Sequence, residues 1–390
     1  MAVEYKAVLV RYGEIGIKSE RTRSRYERIL IENIKAMLEF QGISYIDIKR
    51  EWGRILISTE LDNTREIAKA TSMVFGVTSS SPAVVIEPEL ESIARIASDV
   101  AAELIQDGET FGIRARRAGM HSYSSREIAI KTGDAILTRL KHRNVKVNLS
   151  NPKHEIFIEA RQNNAYVFTE IYQGAGGLPL GTQEKMAALI SGGIDSPVAA
   201  WLMMKRGCEL IAIYFNNSPF TDETTKQRAL ACIAKLKQWS PGHELKTYEV
   251  PHGKNLAIFK AKAAKLTCVL CKRMMYRIAK EIALRERALG IVTGSSLGQV
   301  ASQTASNLYV ENHGLDFPVY HPLIGFDKMQ VADLARKIGT FEFSIQKTAS
   351  CSAVPIYPVT HAKLEDALEV ERQIDIPSLV KASLENALIF

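Results

Sequence analysis

The run Ala188-Leu189-Ile190-Ser191-Gly192-Gly193-Ile194-Asp195-Ser196-Pro197-Val198-Ala199-Ala200 constrains this chain more than any other stretch. Apolar residues lead into two glycines, and small apolar residues follow. The run therefore reads as a buried strand, a tight turn and the start of a helix. Adjacent glycines let the backbone turn its N–H groups toward a ligand, and the helix behind them points its positive end at the same place. Phosphate is the natural occupant of such a turn. The GxxxxGK[ST] spacing of the P-loop is absent. The plainer alternative is an ordinary Gly-Gly connection capped by Ser or Asp.

The pattern around this run alternates. Strands are expected at 186–190, 209–215, 244–250, 290–293 and 319–321, and helices at 197–205, 225–239, 256–265, 272–289 and 329–338. Such alternation predicts a parallel sheet covered on both faces, with the ligand at the C-terminal ends of its strands. The glycine-rich segment 173–182 marks a boundary before it. Ahead of that boundary, residues 1–60 read as strand, helix and a strand pair (44–49 and 54–58) turning at Trp52-Gly53. Residues 61–172 alternate again, with helices at 64–72, 90–107 and 124–140, and strands at 81–86, 110–116, 145–149, 155–160 and 165–172. Both blocks suit small α+β units.

The 390 residues are 46% hydrophobic and 24% charged, ordinary for globular domains. No apolar run reaches membrane-spanning length, and the charged start Met1–Arg11 is unlike a signal peptide. Five cysteines without an even framework fit a reducing cytoplasm. The net charge of +7 permits an anionic partner. Between Phe111 and Lys146 lie nine basic residues (Arg114, Arg116, Arg117, Arg126, Lys131, Arg139, Lys141, Arg143 and Lys146) against Glu127 and Asp134. They form either one face for phosphate backbones or a solvated charged surface.

Several residues carry candidate chemistry. Asp195 beside bound phosphates holds Mg²⁺, orients a reacting group or caps the helix, and capping oxygens are already offered by Ser191 and Ser196. Tyr214-Phe215 ends a strand where an adenine ring has room, although core packing explains an aromatic pair equally well. The small-residue loop from Thr293 to Thr304 suits close approach to a nucleotide, and Lys272 and Arg273, at an expected helix start, suit phosphate. Cys268-Val269-Leu270-Cys271 and Cys351 admit three readings: a four-iron cluster, persulfide chemistry, or a structural role. Cys208 and Cys232 fall in apolar patterns and read as core.

Taken together, Leu180-Gly181-Thr182-Gln183, Leu189 to Pro197, Lys272-Arg273-Met274-Met275, Gly298 to Thr304 and Pro322-Leu323-Ile324-Gly325-Phe326-Asp327-Lys328 resemble the tRNA 4-thiouridine synthetase family of PP-loop sulfurtransferases. The resemblance covers nearly the whole chain. It implies an α/β architecture: an N-terminal ferredoxin-like α+β domain (1–60), a THUMP RNA-binding domain (61–172), a linker (173–182) and a Rossmann-like PP-loop ATP pyrophosphatase domain with a short helical tail (183–390). It places ATP contacts on Leu189, Ile190, Ser191, Gly192, Gly193, Asp195, Ser196, Tyr214, Phe215, Lys272, Gly294 and Gln303, with Mg²⁺ at the phosphates. Asp195 is then needed for activation and Cys351 is the catalytic cysteine.

Many members carry a C-terminal rhodanese domain, whereas this sequence stops at Phe390. The resemblance is to members lacking it, in which Cys268, Cys271 and Cys351 would ligate a [4Fe-4S] cluster. Arg114, Arg116, Arg117, Arg126, Lys131 and Arg143 become the expected RNA contacts. The implied partners are tRNA, a sulfur donor (sulfide or a persulfide-carrying protein) and a second copy of the chain. The implied reaction is ATP-dependent thiolation of uridine, at position eight, with sulfur supply for the thiamine thiazole as a further family role. Two rivals are an amidotransferase of the PP-loop class and a non-catalytic tRNA-binding protein.

Overall fold

The computed structural model describes residues 3–348 and 350–390. Contacts divide the chain into one unit that ends at Gly177 and another spanning Leu178–Phe390.

In the first unit β1 (Ala7–Tyr12) is buried along its whole length. Helix α1 (Glu20–Phe40) lays Tyr26, Leu30, Ile34 and Met37 into the core at helical spacing. The hairpin β2 (Asp47–Glu51) and β3 (Arg54–Ser58) turns at Trp52-Gly53, where Gly53 takes φ +74°. Then follow α2 (Thr64–Ser72), β4 (Val77–Ile86), α3 (Leu90–Leu104), β5 (Thr110–Arg117) and α4 (Ser125–Arg139). Ser124 and Glu127 form a capping box at the start of α4. Strands β6 (Lys146–Val147), β7 (His154–Ala160), β8 (Ala165–Phe168) and β9 (Tyr172–Gln173) complete the unit.

The strand order is β2-β3-β1-β4-β8-β7-β5-β6, with β9 beside β4. Strand β4 joins what the pattern divides into two blocks. Its N-terminal part lies antiparallel to β1 (Val8 opposite Pro82), and its end lies antiparallel to β8 (Val84 opposite Val167). The sequence predicts a shorter strand because Thr78-Ser79-Ser80-Ser81 lacks apolar alternation. The hydroxyls of Ser80 and Ser81 are buried with partners instead: Ser80 Oγ donates to the Ala68 carbonyl (2.6 Å), and Ser81 Oγ accepts from Arg11 Nη1 (3.0 Å).

A buried knot of charge crosses this sheet. Glu159, 3% exposed, meets Arg11 at 3.3 Å, Arg54 at 2.7 Å and Arg161 at 2.7 Å. Burial opposes ionisation of Glu159, but the arginines outweigh it and its pKa is lowered.

The second unit contains β10 (Gln183–Leu189), α5 (Asp195–Lys205), β11 (Cys208–Asn216), α6 (Glu223–Lys237), β12 (Thr247–Pro251) and α7 (Gly253–Lys262). Next come α8 (Thr267–Arg285), β13 (Ile291–Val292), α9 (Ala305–Asn312), β14 (Val319–Tyr320), α10 (Lys328–Ile338) and α11 (Phe341–Ser344). The tail holds α12 (Leu364–Arg372), α13 (Ile376–Glu385) and β15 (Leu388–Ile389). The sheet runs β14-β13-β10-β11-β12-β15, and every pairing is parallel except β12 with β15. The expected parallel sheet is present, with β10 central. Cys208 and Cys232 are core residues, 3% and 0% exposed.

Three expectations need correction. Helix α8 begins at Thr267, so Cys268 and Cys271 sit on its first turn rather than before it. No side chain caps that start, which removes the usual sequence signal. Arg273 does not face a ligand. It is 2% exposed, grips Glu371 through Nε (2.8 Å) and Nη2 (2.9 Å), and donates to the carbonyls of Val310 and His313. The tail is also more than one helix, since β15 closes the sheet edge against β12. Among the described residues no helix is long and apolar enough to cross a membrane.

Candidate active site

Strand β10 delivers the chain to the sheet's C-terminal edge, where Gly192 turns it with φ +77°. Only glycine fits there: a Cβ would stand 2.7 Å from the Ala229 nitrogen of α6. Gly294 is equally constrained, because a Cβ would meet the Ser196 nitrogen at 2.7 Å. The loop is knitted by serines. The Ser191 N–H donates to Ser196 Oγ (3.0 Å), the two hydroxyls lie 3.2 Å apart, and the Gly193 N–H reaches Ser191 Oγ at 3.4 Å.

Asp195 opens α5 but does not cap it. Its carboxylate accepts from Lys328 Nζ (2.9 and 3.0 Å) and from Gln299 Nε2 (3.0 Å). The resemblance implies no role for Lys328. The structure sets it at the start of α10 on the PP-loop acid, where it can exchange a carboxylate for a phosphate.

A cavity of about 120 Å³ opens beside the loop, lined by Leu189, Ile190, Ser191, Tyr214, Phe215, Asn217 and Met275 among others. Five predicted nucleotide contacts (Leu189, Ile190, Ser191, Tyr214 and Phe215) therefore meet there, while Lys272, Gly294 and Gln303 lie outside its lining. Burial raises the Tyr214 hydroxyl to about 12, so it stays neutral. Among the described residues, the buried acceptors Asn217 Oδ1 and Gln303 Oε1 find no hydrogen-bond partner. Unpaired buried acceptors are costly, and a ligand that donates would relieve them. Lys272 Nζ points to Glu311 and to the Ser302 carbonyl, at 3.3 and 3.4 Å. Burial pushes the Glu311 carboxyl up to about 7, against the pull of Lys272. A flat group against Tyr214-Phe215 and an anion against the loop is what this arrangement can hold.

The cysteines lie behind this wall. Cys271 and Ala353 pack with Leu256, and Cys351, Met275 and Phe220 lean on that cluster. Burial raises the pKa of both Cys268 and Cys271, and each also feels the charge of Cys351. All three thiols therefore share one neighbourhood. Cys271 turns its Sγ toward His252 Nε2, at 3.4 Å. Among the described residues no group of three or more His, Cys, Asp and Glu side chains is gathered as a metal site. As placed, the thiols do not fit the expected four-iron cluster.

In the first unit a cavity of about 670 Å³ is lined by Arg11, Arg114, Arg116, Ser125, Arg126, Glu159 and Gln173, among others. It gathers three predicted RNA contacts, of which Arg116 and Arg126 are exposed. Arg114 is paired with Glu155 (2.7 Å) and Lys131 with Glu91 (2.7 Å). Arg117 donates to the Gly119 carbonyl (2.9 Å). Arg143 is spent on the Ala102 and Ile105 carbonyls (2.6 and 2.7 Å), where it holds the end of α3. Arg11, absent from the basic stretch, enters the same cavity with a buried Nη2 that has no partner.

The family description "Thiamine biosynthesis protein (ThiI)" matches residues 181–376, the ThiI ferredoxin-like domain residues 7–81, and the THUMP domain residues 87–170. The chain belongs to the ThiI family. A probable tRNA sulfurtransferase of Methanosarcina mazei is 50% identical over 389 residues, covering 99% of this chain and 95% of that protein. A probable tRNA sulfurtransferase of Methanobrevibacter smithii is 40% identical, covering 98% of this chain and 100% of that protein. The crystal structure of a 4-thiouridine synthetase–RNA complex with bound ATP superposes with a TM-score of 0.84 at 31% identity, covering 99% of both chains. A Pyrococcus horikoshii structure superposes with a TM-score of 0.66 at 30% identity, covering 86% of this chain and 99% of that one. The ferredoxin-like, THUMP and PP-loop architecture expected of this ThiI-family chain is the one observed.

Proposed function

We propose that this chain is a tRNA sulfurtransferase that activates a uridine of tRNA, at position eight, with ATP and replaces its C4 oxygen by sulfur. One observation carries the reading. Met275 lines the loop-side cavity and also packs on the cysteine cluster, so nucleotide activation and thiol chemistry have a common wall. The ATP-bound, RNA-bound relative supports both substrates.

In this reading adenosine lies by Leu189, Ile190, Tyr214 and Phe215, and its donors meet Asn217 or Gln303. The N–H groups from Ser191 to Ser196 and the positive end of α5 take the phosphates. Gly294 allows the close approach, and Lys272 adds charge from the far side. Asp195 would supply a carboxylate to a Mg²⁺ ion arriving with the triphosphate, and that ion would withdraw charge from the phosphates. Lys328 then turns from Asp195 to the phosphates. The uridine C4 oxygen attacks the α-phosphorus, pyrophosphate leaves, and the loop donors hold the developing charge. Sulfide attacks C4 directly, the C4–O bond breaks and AMP departs; a persulfide donor instead passes its outer sulfur to Cys351, that sulfur attacks C4 as AMP departs, and the thiol of Cys268 or Cys271 then breaks the S–S bond, forming a disulfide with Cys351 and freeing the sulfur on C4.

The tRNA is held by the first unit, where Arg116 and Arg126 beside Arg11 are better placed for phosphates than Arg117, Lys131 or Arg143. A homodimer, in which one chain grips the acceptor end used by its partner, belongs to the same reading. Sulfur supply for the thiamine thiazole rests on the family description alone. The test is ATP-dependent thiolation of unmodified tRNA with sulfide or a persulfide donor, read by nucleoside mass spectrometry. Formation of 4-thiouridine is expected, and its absence with both donors contradicts the reading.

A further inference from the structure

Of the three tryptophans, Trp201 and Trp239 are buried, while Trp52 is 77% exposed at the tip of the β2–β3 hairpin. A lone exposed indole needs no explanation. Trp52, however, walls a cavity of about 560 Å³ together with Arg50, Arg161, Gln162 and Asn163, among others, a size that admits a nucleotide. The walls are fixed from behind. Arg161 Nη1 donates to the Trp52 carbonyl (2.7 Å), and Asn164 Nδ2 and the Tyr166 hydroxyl both donate to the Glu51 carboxylate of the lining. Arg50 Nη1 is steadied by Glu27 (3.2 Å), yet its side chain stays half exposed. On the opposite side Gln162 Oε1 accepts from the Met120 N–H (2.9 Å), and a Cβ on Gly119 would stand 2.7 Å from that oxygen. The cavity also adjoins the basic one. Arg161 lines this cavity, Glu159 lines that of Arg116 and Arg126, and Arg161 Nη2 meets Glu159 Oε1 at 2.7 Å.

We propose that Trp52 is a stacking platform for an unpaired nucleobase of the RNA substrate, with Arg50 on the phosphate and the amides of Gln162 and Asn163 at the base edge. The lining dictates this occupant. An exposed indole takes any base, because every base has a π-face. In a duplex that face is covered by neighbouring bases, so only an unpaired nucleotide can use it. Two guanidinium groups favour an anionic ligand, and the Glu51 carboxylate is already spent inside the protein. The first unit then holds RNA in two ways, by charge at Arg116 and Arg126 and by stacking at Trp52. The proposal rests on the reading that tRNA is the substrate.

The test uses the full-length chain and reads the emission of Trp52, which is separable because Trp201 and Trp239 are 0% and 7% exposed. The probes are a short single-stranded RNA, a blunt duplex of the same sequence and unmodified tRNA. The single strand and the tRNA should quench the emission, the duplex should not, and Trp52→Phe should abolish the quenching. Affinities are measured in parallel by filter retention. Trp52→Ala should weaken single-strand binding about tenfold with the salt slope unchanged, since no phosphate contact is lost. Trp52→Phe keeps an aromatic face and should recover most of that affinity. Binding without quenching, equal losses in the two variants, or equal quenching by the duplex overturns the proposal and leaves tRNA as the substrate. A wild-type chain that binds none of the three RNAs overturns the reading beneath it as well.

Discussion

Glu159 and Asp195 are both carboxylates met by basic side chains, and they have opposite uses. Glu159 is 3% exposed and held by Arg11, Arg54 and Arg161. Asp195 keeps 20% of its side chain exposed and holds one lysine, Lys328, that is itself half exposed. Three arginines, one buried and two part-buried, make a permanent joint, because breaking it strands the Glu159 charge in low dielectric. A single exposed lysine can be released at small cost. The first arrangement ties one sheet together, and the second leaves an acid ready for a ligand.

The largest effect expected from this contrast is on catalysis. Asp195→Ala should lower tRNA thiolation by at least about a hundredfold while leaving the thermal unfolding midpoint nearly unchanged. Retained turnover in a purified assay would make the Lys328 pair structural and erase the comparison. Glu159→Ala should do the reverse, destabilising the first unit by about 3–5 kcal/mol in denaturant titration. A stable Glu159→Ala protein would show that the arginine knot can rearrange.

A smaller effect sharpens the same point in RNA binding. Replacing both Arg116 and Arg126 by Ala should weaken tRNA affinity and reduce the salt slope of binding by about one per residue removed. Arg143→Ala should instead cost stability, because its guanidinium holds the end of α3. An unchanged salt slope in the double variant would move the RNA face elsewhere.

The smallest effect is on acid stability. Glu371 resists ionisation through burial, yet Arg273 and Arg277 prevail and hold it at about 2 rather than its usual 4.5. Its folded pKa is depressed, so its stabilisation is present above the unfolded value and is lost as pH falls from about 4.5 toward about 2. Glu371→Gln should flatten the acid limb of the unfolding curve in that window. A limb of unchanged steepness would assign acid lability to other carboxylates.

The glycine loop and the βα alternation were legible because backbone requirements write themselves into contiguous sequence. Gly192, Ser191 and Asp195 could be read in place, and so could the parallel sheet around β10. Contacts made by side chains far apart in the chain could not. Lys328 reaches Asp195 across 133 residues, and Arg11 reaches the cavity of Arg114, Arg116 and Arg126 from the first strand. The basic stretch named six RNA contacts, but nothing local distinguishes Arg143, spent on carbonyls, from Arg126, left exposed. Strand β4 is longer than its pattern predicts because the buried hydroxyls of Ser80 and Ser81 are paired with the Ala68 carbonyl and with Arg11, partners far away in the sequence.

The central claim is that ATP activates the C4 oxygen of the tRNA uridine at the Asp195 loop. The direct measurement is a single turnover on tRNA carrying ¹⁸O at C4 of uridine 8, with mass analysis of the released AMP. Label in the AMP phosphate, formed together with 4-thiouridine, is the predicted result. Unlabelled AMP, with thiolation proceeding, would contradict it and move the activation to another atom.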